Sequence, residues 1–342
     1  VMTAAMAASL AACGNSTANT SSTTDAAASD AAQTSDAAAT ESGAGTSSDG
    51  KKYTIGICQQ LEHPALDQAT QGFEDALTEL LGSGNVTFDL QNAQGEQANC
   101  ATISNGFVAN NYDLILANAT TALQCAAAAT STIPVIGTSV TDYATALDID
   151  NWTGSTGTNV SGTADLAPID QQEDMLVELF PDAKNVGILY CSAEANSSYQ
   201  SNTIQKYLKD YGYECTEYPF ADSNDIASVV NNAVAASDVL YIPTDNTAAS
   251  NTTIIQNICQ PAGIPIIAGE EGICSGCGVA TLSISYYDLG YKTGEMAYEI
   301  LVNGADVSQT AVEFAPNVTK KYNAANCEAL GITVPDDYVA IE

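Results

Sequence analysis

The residues best placed to do chemistry in this chain are neutral hydroxyls and amides, set beside a few carboxylates, in turns that follow short apolar runs. Thr120 and Thr121 come just after Asp113-Leu114-Ile115-Leu116-Ala117, and Ser139, Thr141 and Asp142 after Ile133-Pro134-Val135-Ile136-Gly137. Such turns open helices, whose first N–H groups lack intrahelical acceptors and carry the positive end of the helix dipole. With hydroxyls alongside, they suit a carboxylate. In the second half of the chain, Glu194, Asn196 and Ser197 follow one apolar run, Asp245 and Asn246 a second, and Glu270 with Glu271 a third. Those carboxylates suit an ammonium group. The same residue types also cap helices, and one side chain can serve both purposes.

His63 is the only histidine, and it sits in Glu62-His63-Pro64 at the first of these turns. Acid–base or nucleophilic catalysis would need a nucleophile and an orienting partner beside it, and no such set is recognisable. His63 is therefore expected as a wall of a binding cleft, and the chain is not expected to be an enzyme. No GxGxxG or GxxxxGK[ST] follows any apolar run, so no nucleotide cofactor is expected. Cys274-x-x-Cys277 has no second CxxC and no nearby histidine. It reads as a loop carrying a local disulfide or free thiols, without a metal.

Charge narrows the partners. The 342 residues carry 41 Asp and Glu against 8 Lys and Arg, a net charge of −33, and all eight cations are lysines. Nucleic acid is excluded as a partner, because neutralising phosphates takes a basic surface. Any bound anion must be held without a guanidinium fork. Hydrogen bonds to a charged group contribute roughly 1.5–3 kcal/mol each, so three or four neutral donors suffice for micromolar binding.

The elements that position these turns occur twice. Gly56 in Tyr53-Thr54-Ile55-Gly56-Ile57 is answered by Gly187 in Asn185-Val186-Gly187-Ile188-Leu189-Tyr190, and Pro134 by Pro265 at the same interval. Between them, Asp113-Leu114-Ile115-Leu116-Ala117 is answered by Asp238-Val239-Leu240-Tyr241-Ile242. The runs are continuously apolar, as parallel strands covered on both faces must be. Helical patterns at 68–81 and 199–211 lead on to further strands at 86–91 and 214–220. Strands alternating with helices imply βαβ units, hence two similar doubly wound α/β lobes joined by a hinge. Ligands bind beyond the carboxyl ends of such strands, where the polar turns lie. The lobes are expected at 51–158 plus 269–311 and at 159–268 plus 312–342, with crossings at 154–162, near 268–269 and near 312. The pattern 285–301 reads as a helix returning to the first lobe.

Residues 1–13 read as the remnant of a signal peptide ending in Leu10-Ala11-Ala12-Cys13, where Cys13 would be lipidated. Residues 14–50 hold no Leu, Ile, Val, Met or aromatic residue, so they have nothing to bury and read as a disordered tether. Lipid plus tether implies attachment to a membrane, on its extracytoplasmic face. Nine further cysteines remain, an odd number that leaves any disulfide framework open. Tyr143, Trp152, Tyr190 and Tyr286 are candidates for an aromatic pocket or for core packing.

The ordered set of segments QQLEHPALDQATQGF, DLILANATTALQ, IPVIGTSVTD, GTNVSG, GILYCSAEANSSYQ, YIPTDN, IPIIAGEEG and SYYDLGYKTGEMAYEIL resembles the ABC-transporter substrate-binding lipoproteins. More narrowly it looks like the branch associated with tryptophan and tyrosine uptake, and the resemblance spans roughly 53–338. Thr121 stands where relatives often carry proline, and Cys274–Cys277 replaces a plainer Gly/Ala segment. The resemblance implies a type I periplasmic-binding-protein fold, a zwitterionic ligand such as an aromatic amino acid, and no cofactor. It also implies a monomer that serves permease and ATPase subunits. On this reading His63, Thr120, Thr121, Ser139, Thr141, Asp142, Glu194, Asn196, Ser197, Asp245, Asn246 and Glu270 line the cleft. Alternatives on the same fold are a sugar- or nucleoside-binding protein and a ligand-sensing receptor lobe.

Overall fold

A computed structural model describes residues 50–315 and 317–341. The expected signal remnant, Cys13 and all but the last residue of the tether lie outside the described residues. Five parallel strands build the first lobe, β1 (Tyr53–Gln59), β2 (Val86–Asn92), β3 (Leu114–Asn118), β4 (Val135–Val140) and β5 (Val160–Ala164). The second lobe repeats the plan with β6 (Asn185–Cys191), β7 (Glu214–Phe220), β8 (Val239–Ile242), β9 (Ile266–Ala268) and β10 (Ala280–Ser283). Late in the chain, β11 (Glu313–Phe314) joins the first sheet, and β12 (Thr319–Tyr322) and β13 (Val339–Ala340) join the second. The strand orders are β11-β5-β4-β3-β1-β2 and β13-β12-β10-β9-β8-β6-β7. The repeat seen in sequence is thus a repeat of topology. Among the described residues, only β10 and β12 pair antiparallel.

The connecting helices are α1 (Pro64–Leu81), α2 (Gln97–Ala109), α3 (Thr120–Ala129), α4 (Tyr143–Ala146), α5 (Ile169–Leu179) and α6 (Ala195–Asp210). They continue with α7 (Ile226–Val234), α8 (Asn246–Ala249), α9 (Thr252–Ala262), α10 (Glu271–Cys277), α11 (Tyr286–Leu301) and α12 (Ala324–Leu330). Both faces of each sheet are covered. Ile55, Ile57, Leu114, Leu116 and Ile136 pack under α1 and α11, while Cys58, Ile115, Ala117 and Val135 face α2 and α3. This two-sided burial is why the strands read as unbroken apolar runs.

As expected, α11 returns to the first lobe, and it lies almost backbone to backbone on α1. A Cβ on Gly290 would stand 1.9 Å from the Ala69 carbonyl oxygen, and one on Gly72 would stand 2.1 Å from that of Tyr287.

The lobe boundaries differ from those expected. The first crossing falls after Ala164, not at 154–162, because β5 completes the first sheet beside β4. Its sequence, Val-Ser-Gly-Thr-Ala, looked like a linker. Its polar side chains are satisfied inside the lobe, Ser161 Oγ donating to the Thr310 carbonyl at 2.9 Å and Thr163 Oγ1 meeting Thr293 Oγ1 at 2.8 Å. The second crossing falls at Ile284–Ser285, not at 268–269, because α10 and β10 stay with the second sheet. The third follows Phe314 of β11. The nine described cysteines are free thiols, and Cys274 and Cys277 lie on α10, not in a loop.

Replacing Gly290 with alanine should force α1 and α11 apart. Overpacking of this kind costs about 1–3 kcal/mol. A denaturant midpoint for Gly290→Ala equal to that of the parent would contradict the packing described.

Candidate functional site

Strands β1, β3, β4 and β5 end side by side, so their turns form the first lobe's jaw. Gln60, just past β1, accepts a hydrogen bond from the Thr121 backbone N–H (3.1 Å) and so ties the first turn to the start of α3. That helix is entered through Ala119, whose φ of 89° and ψ of 164° fall in a region almost reserved for glycine. Its N–H donates to the Thr138 carbonyl and its own carbonyl accepts from Leu123, which pins the conformation. Ser139, at φ 55°, is left-handed as well. Non-glycine residues held this way cost on the order of 1–3 kcal/mol each and concentrate at functional sites.

The second lobe's jaw is organised by its carboxylates. Asp245 caps α8, accepting from the Ala248 N–H at 2.7 Å, and also accepts from the Cys191 N–H at 2.6 Å. Ser197 is a further donor to it. Glu194 reaches from the start of α6 to the start of α8. It accepts from the Asn246 backbone N–H (3.2 Å) and side-chain Nδ2 (2.6 Å), and from the Thr247 N–H (2.9 Å) and hydroxyl (2.7 Å). Glu270 caps α10 through the N–H groups of Gly272 and Ile273. Glu194, Asp245 and Glu270 therefore all bond to donors of their own lobe, and Glu271, the fourth acid expected to suit an ammonium, accepts from the Ser283 hydroxyl and pairs with Lys321. Asp142 caps α4 through the Thr145 N–H, and the Thr141 hydroxyl donates to Asp165 at 3.1 Å.

The two jaws touch. His63 Nε2 lies 3.1 Å from Asn246 Oδ1, a hydrogen bond across the lobes. Four of the expected residues carry a buried polar atom with no hydrogen-bond partner among the described residues: His63 Nδ1, Thr120 Oγ1, Ser139 Oγ and Asn196 Oδ1. Three come from the first lobe's strand-end turns and one from the second lobe. Asn196 also bonds to Glu194, which bonds to Asn246, which meets His63, so these residues form one connected group. Asn118 Oδ1, at the end of β3, is unpartnered too. Buried polar atoms are nearly always paired in folded proteins, so five such atoms near the ends of the strands stand out, the other three being on Ser104, Glu173 and Thr281. Cavities of 360 Å³ and 370 Å³ lie between the lobes. The first is lined by Gln60, Thr121, Glu194 and Thr247, and the second by Pro64, Glu270 and Tyr286.

Sequence reasoning missed Asp165. It follows β5 directly, is fully buried, and accepts hydrogen bonds from Thr141 and from the Tyr286 hydroxyl at 3.0 Å. Burial pushes its pKa up to about 6, with those two hydroxyls pulling back. Burial likewise pushes Glu270 to about 7, with the nearby Asp165 charge a smaller cause. No ion pair among the described residues involves either acid. The rule that picks strand-end residues would have found Asp165 had β5 been recognised as a strand. Of the four aromatic candidates only Tyr286 reaches this group. Tyr143 is buried in the first lobe and donates to the Thr163 carbonyl, Trp152 packs on that core, and Tyr190 meets Glu217.

These acids set two expectations. An acid with a raised folded-state pKa stabilises the fold fully below its unfolded value, near 4, and loses that contribution as pH rises through the folded value. The unliganded midpoint should therefore fall between pH 5.5 and pH 8, and Asp165→Asn should flatten the fall; an unchanged slope would contradict the assignment. Asp245→Ala, by contrast, removes a helix cap and strands the Cys191 N–H. Burial, and then the Glu194 charge, push the pKa of Asp245 itself up to about 7, so the cost should be read at pH 5, where it should be about 1–2 kcal/mol by denaturant unfolding.

Comparison with known proteins agrees with this geometry. A family model described as ABC transporter substrate binding protein matches residues 54–341. A tyrosine-binding protein of Clostridioides difficile strain R20291 is 39% identical over 257 residues, 74% of each chain. Among solved structures, an ABC domain from Streptococcus pneumonia in complex with L-Trp superposes with a TM-score of 0.80 at 33% identity, covering 84% of this chain and 97% of that one. A ligand-free, open substrate-binding protein with adhesive properties from Clostridium difficile is 36% identical, covering 85% of this chain and 99% of that one, yet its TM-score is 0.65. The arrangement here is thus nearer the liganded relative than the open one, although the open one is closer in sequence.

Proposed function

This chain belongs to the ABC transporter substrate-binding protein family, and on that premise we propose that it captures an aromatic amino acid as a zwitterion by closing its two lobes. The observation that carries the reading is the set of unpartnered atoms contributed from both jaws. Thr120 Oγ1, Ser139 Oγ and the Thr120 and Ala122 N–H groups at the start of α3 hold the α-carboxylate, the Thr121 N–H being taken by Gln60, and no arginine is required. Asp165 and Glu270, two buried acids with no cation and lone pairs left open beyond the two side-chain or backbone donors each already has, receive the α-ammonium, while Glu194 is taken up by Asn246, Thr247 and Asn196. Sheet order supports this division. The strands that end at Asp165, Ser139, Thr120 and His63 run β5-β4-β3-β1, so acid, hydroxyls and imidazole follow one another across the jaw.

Closure brings the unpartnered Asn196 Oδ1 of the second lobe onto the ligand and sets Asn246 against His63. The tyrosine-binding relative and the L-Trp complex favour an aromatic side chain. The His63–Asn246 contact and the nearness to the liganded relative both describe closed lobes. In the cell the protein works on the extracytoplasmic face, anchored by lipid at Cys13 through the 14–50 tether. It acts there as a monomer that hands its ligand to a permease driven by ATPase subunits.

Calorimetric titration tests the reading. L-Tyrosine and L-tryptophan should bind at micromolar affinity or better, while tyramine, which lacks the carboxylate, and N-acetyltyrosine, which lacks the ammonium, should each bind about a hundredfold more weakly. Thr120→Val and Ser139→Ala should each weaken tyrosine by about tenfold or more. Tyramine binding as tightly as tyrosine, or binding of sugars alone, would refute it.

A further inference from the structure

The hydrogen-bond chain that ends at His63 determines which of its ring nitrogens can face a ligand. Its anchor is Glu194. Oε1 accepts from the Thr247 N–H and hydroxyl, and Oε2 accepts from the Asn246 N–H and side-chain Nδ2. With both oxygens engaged by backbone donors, the Asn246 amide must turn its NH₂ toward the carboxylate, because the opposite orientation would set oxygen against oxygen. Its Oδ1 then faces His63 Nε2 at 3.1 Å. An amide oxygen only accepts, so Nε2 must carry the proton. The imidazole is neutral, since burial pulls its pKa below the ordinary value and outweighs the Asn246 bond and the facing charges of Glu194 and Asp67. In a neutral imidazole with Nε2 protonated, Nδ1 is a bare acceptor. That atom is buried and has no partner among the described residues.

Within the first jaw, sheet order sets this acceptor at the end opposite Asp165. Strand β1, which leads to His63, lies three positions from β5, which leads to Asp165. Three inter-strand spacings are roughly 14 Å, and subtracting a hydrogen bond at each end leaves roughly 8 Å between the two contacted ligand atoms. That span suits an aromatic amino acid with its ring extended toward β1.

We propose that His63 Nδ1, held as an acceptor by the Glu194–Asn246 relay, is the specificity determinant that demands a hydrogen-bond donor on the ligand's ring. A phenol O–H or an indole N–H meets it; an unsubstituted phenyl ring leaves it buried and unpaired. The discrimination rests on the amino-acid reading above, and it narrows the substrate class to aromatic amino acids bearing a ring donor. Sites built to accept from a substrate hydroxyl reject the analogue lacking it far more strongly than apolar pockets reject a size change.

Titrations of the full-length protein with L-tyrosine, L-tryptophan, L-phenylalanine and O-methyl-L-tyrosine test this. The first two should bind at least about tenfold more tightly than the last two, and the gap between tyrosine and phenylalanine should close in His63→Leu. Phenylalanine binding as well as tyrosine, or a gap that survives in His63→Leu, would overturn the role of His63 while leaving the capture of amino acids standing. Failure of all four ligands to bind would overturn both. Because His63 is the only histidine, long-range ¹⁵N–¹H spectra of histidine-labelled parent protein read its tautomer directly and need no variant. The Nε2–H form, with an Nδ1 resonance that moves on adding tyrosine, is expected; an Nδ1–H tautomer would refute the proposal.

Discussion

On the proposed reading, the structure depends on keeping a handful of polar atoms buried and unpaired until a ligand pairs them. A buried donor or acceptor left without a partner costs about 1–3 kcal/mol, and His63 Nδ1, Thr120 Oγ1, Ser139 Oγ and Asn196 Oδ1 all stand in that condition between the closed lobes. Each is a deficit that the right molecule removes and the wrong one does not. In a chain without arginine this is how an anionic group can be gripped: neutral donors, fixed in advance, in a place water does not reach. The same logic applies with opposite sign to Asp165 and Glu270, whose pKa values burial raises and which no lysine among the described residues pairs with.

Fixing those atoms in advance is the task of the surrounding fold. Ala119 and Ser139 hold left-handed backbone at the two central turns, and the sheet bonds around them prevent relaxation. Glu194, Asp245 and Glu270 lock the starts of α8 and α10, so the second jaw presents amides at set positions. Glycines bring α11 against α1 without an intervening layer, which fixes the segment that follows the second crossing. Tyr286, the first residue of α11, then bonds to Asp165 just after the first crossing. Two of the three connections between the lobes are thereby linked at the buried acid, so a charge arriving there acts where the lobes pivot.

Much of this was legible in the sequence, and the failures have a common cause. Unbroken apolar runs such as Leu114–Ala117 and Val239–Ile242 announce strands covered on both faces, so the doubled sheet and its polar turns could be read directly. Strand β5 carries Ser, Gly and Thr because its neighbours satisfy its polar side chains within the lobe, so its pattern reads as a linker; β10, Ala-Thr-Leu-Ser, gives too short an apolar run to read as a strand, and the second crossing is expected ahead of it. Asp165 was lost with β5. Asp245 and Glu194 were correctly located as strand-end acids, yet sequence cannot show that their oxygens point back into helix starts. His63 was singled out for its isolation and position. Its tautomer follows only from the contact with Asn246, which lies far away in the chain.

The most direct measurement is a crystal structure of the protein with L-tyrosine bound. The account predicts the ligand carboxylate within about 3 Å of Thr120 Oγ1 and Ser139 Oγ, its ammonium against Asp165, and its ring toward the end of β1. A carboxylate held elsewhere, with those two hydroxyls still unpaired, would contradict it.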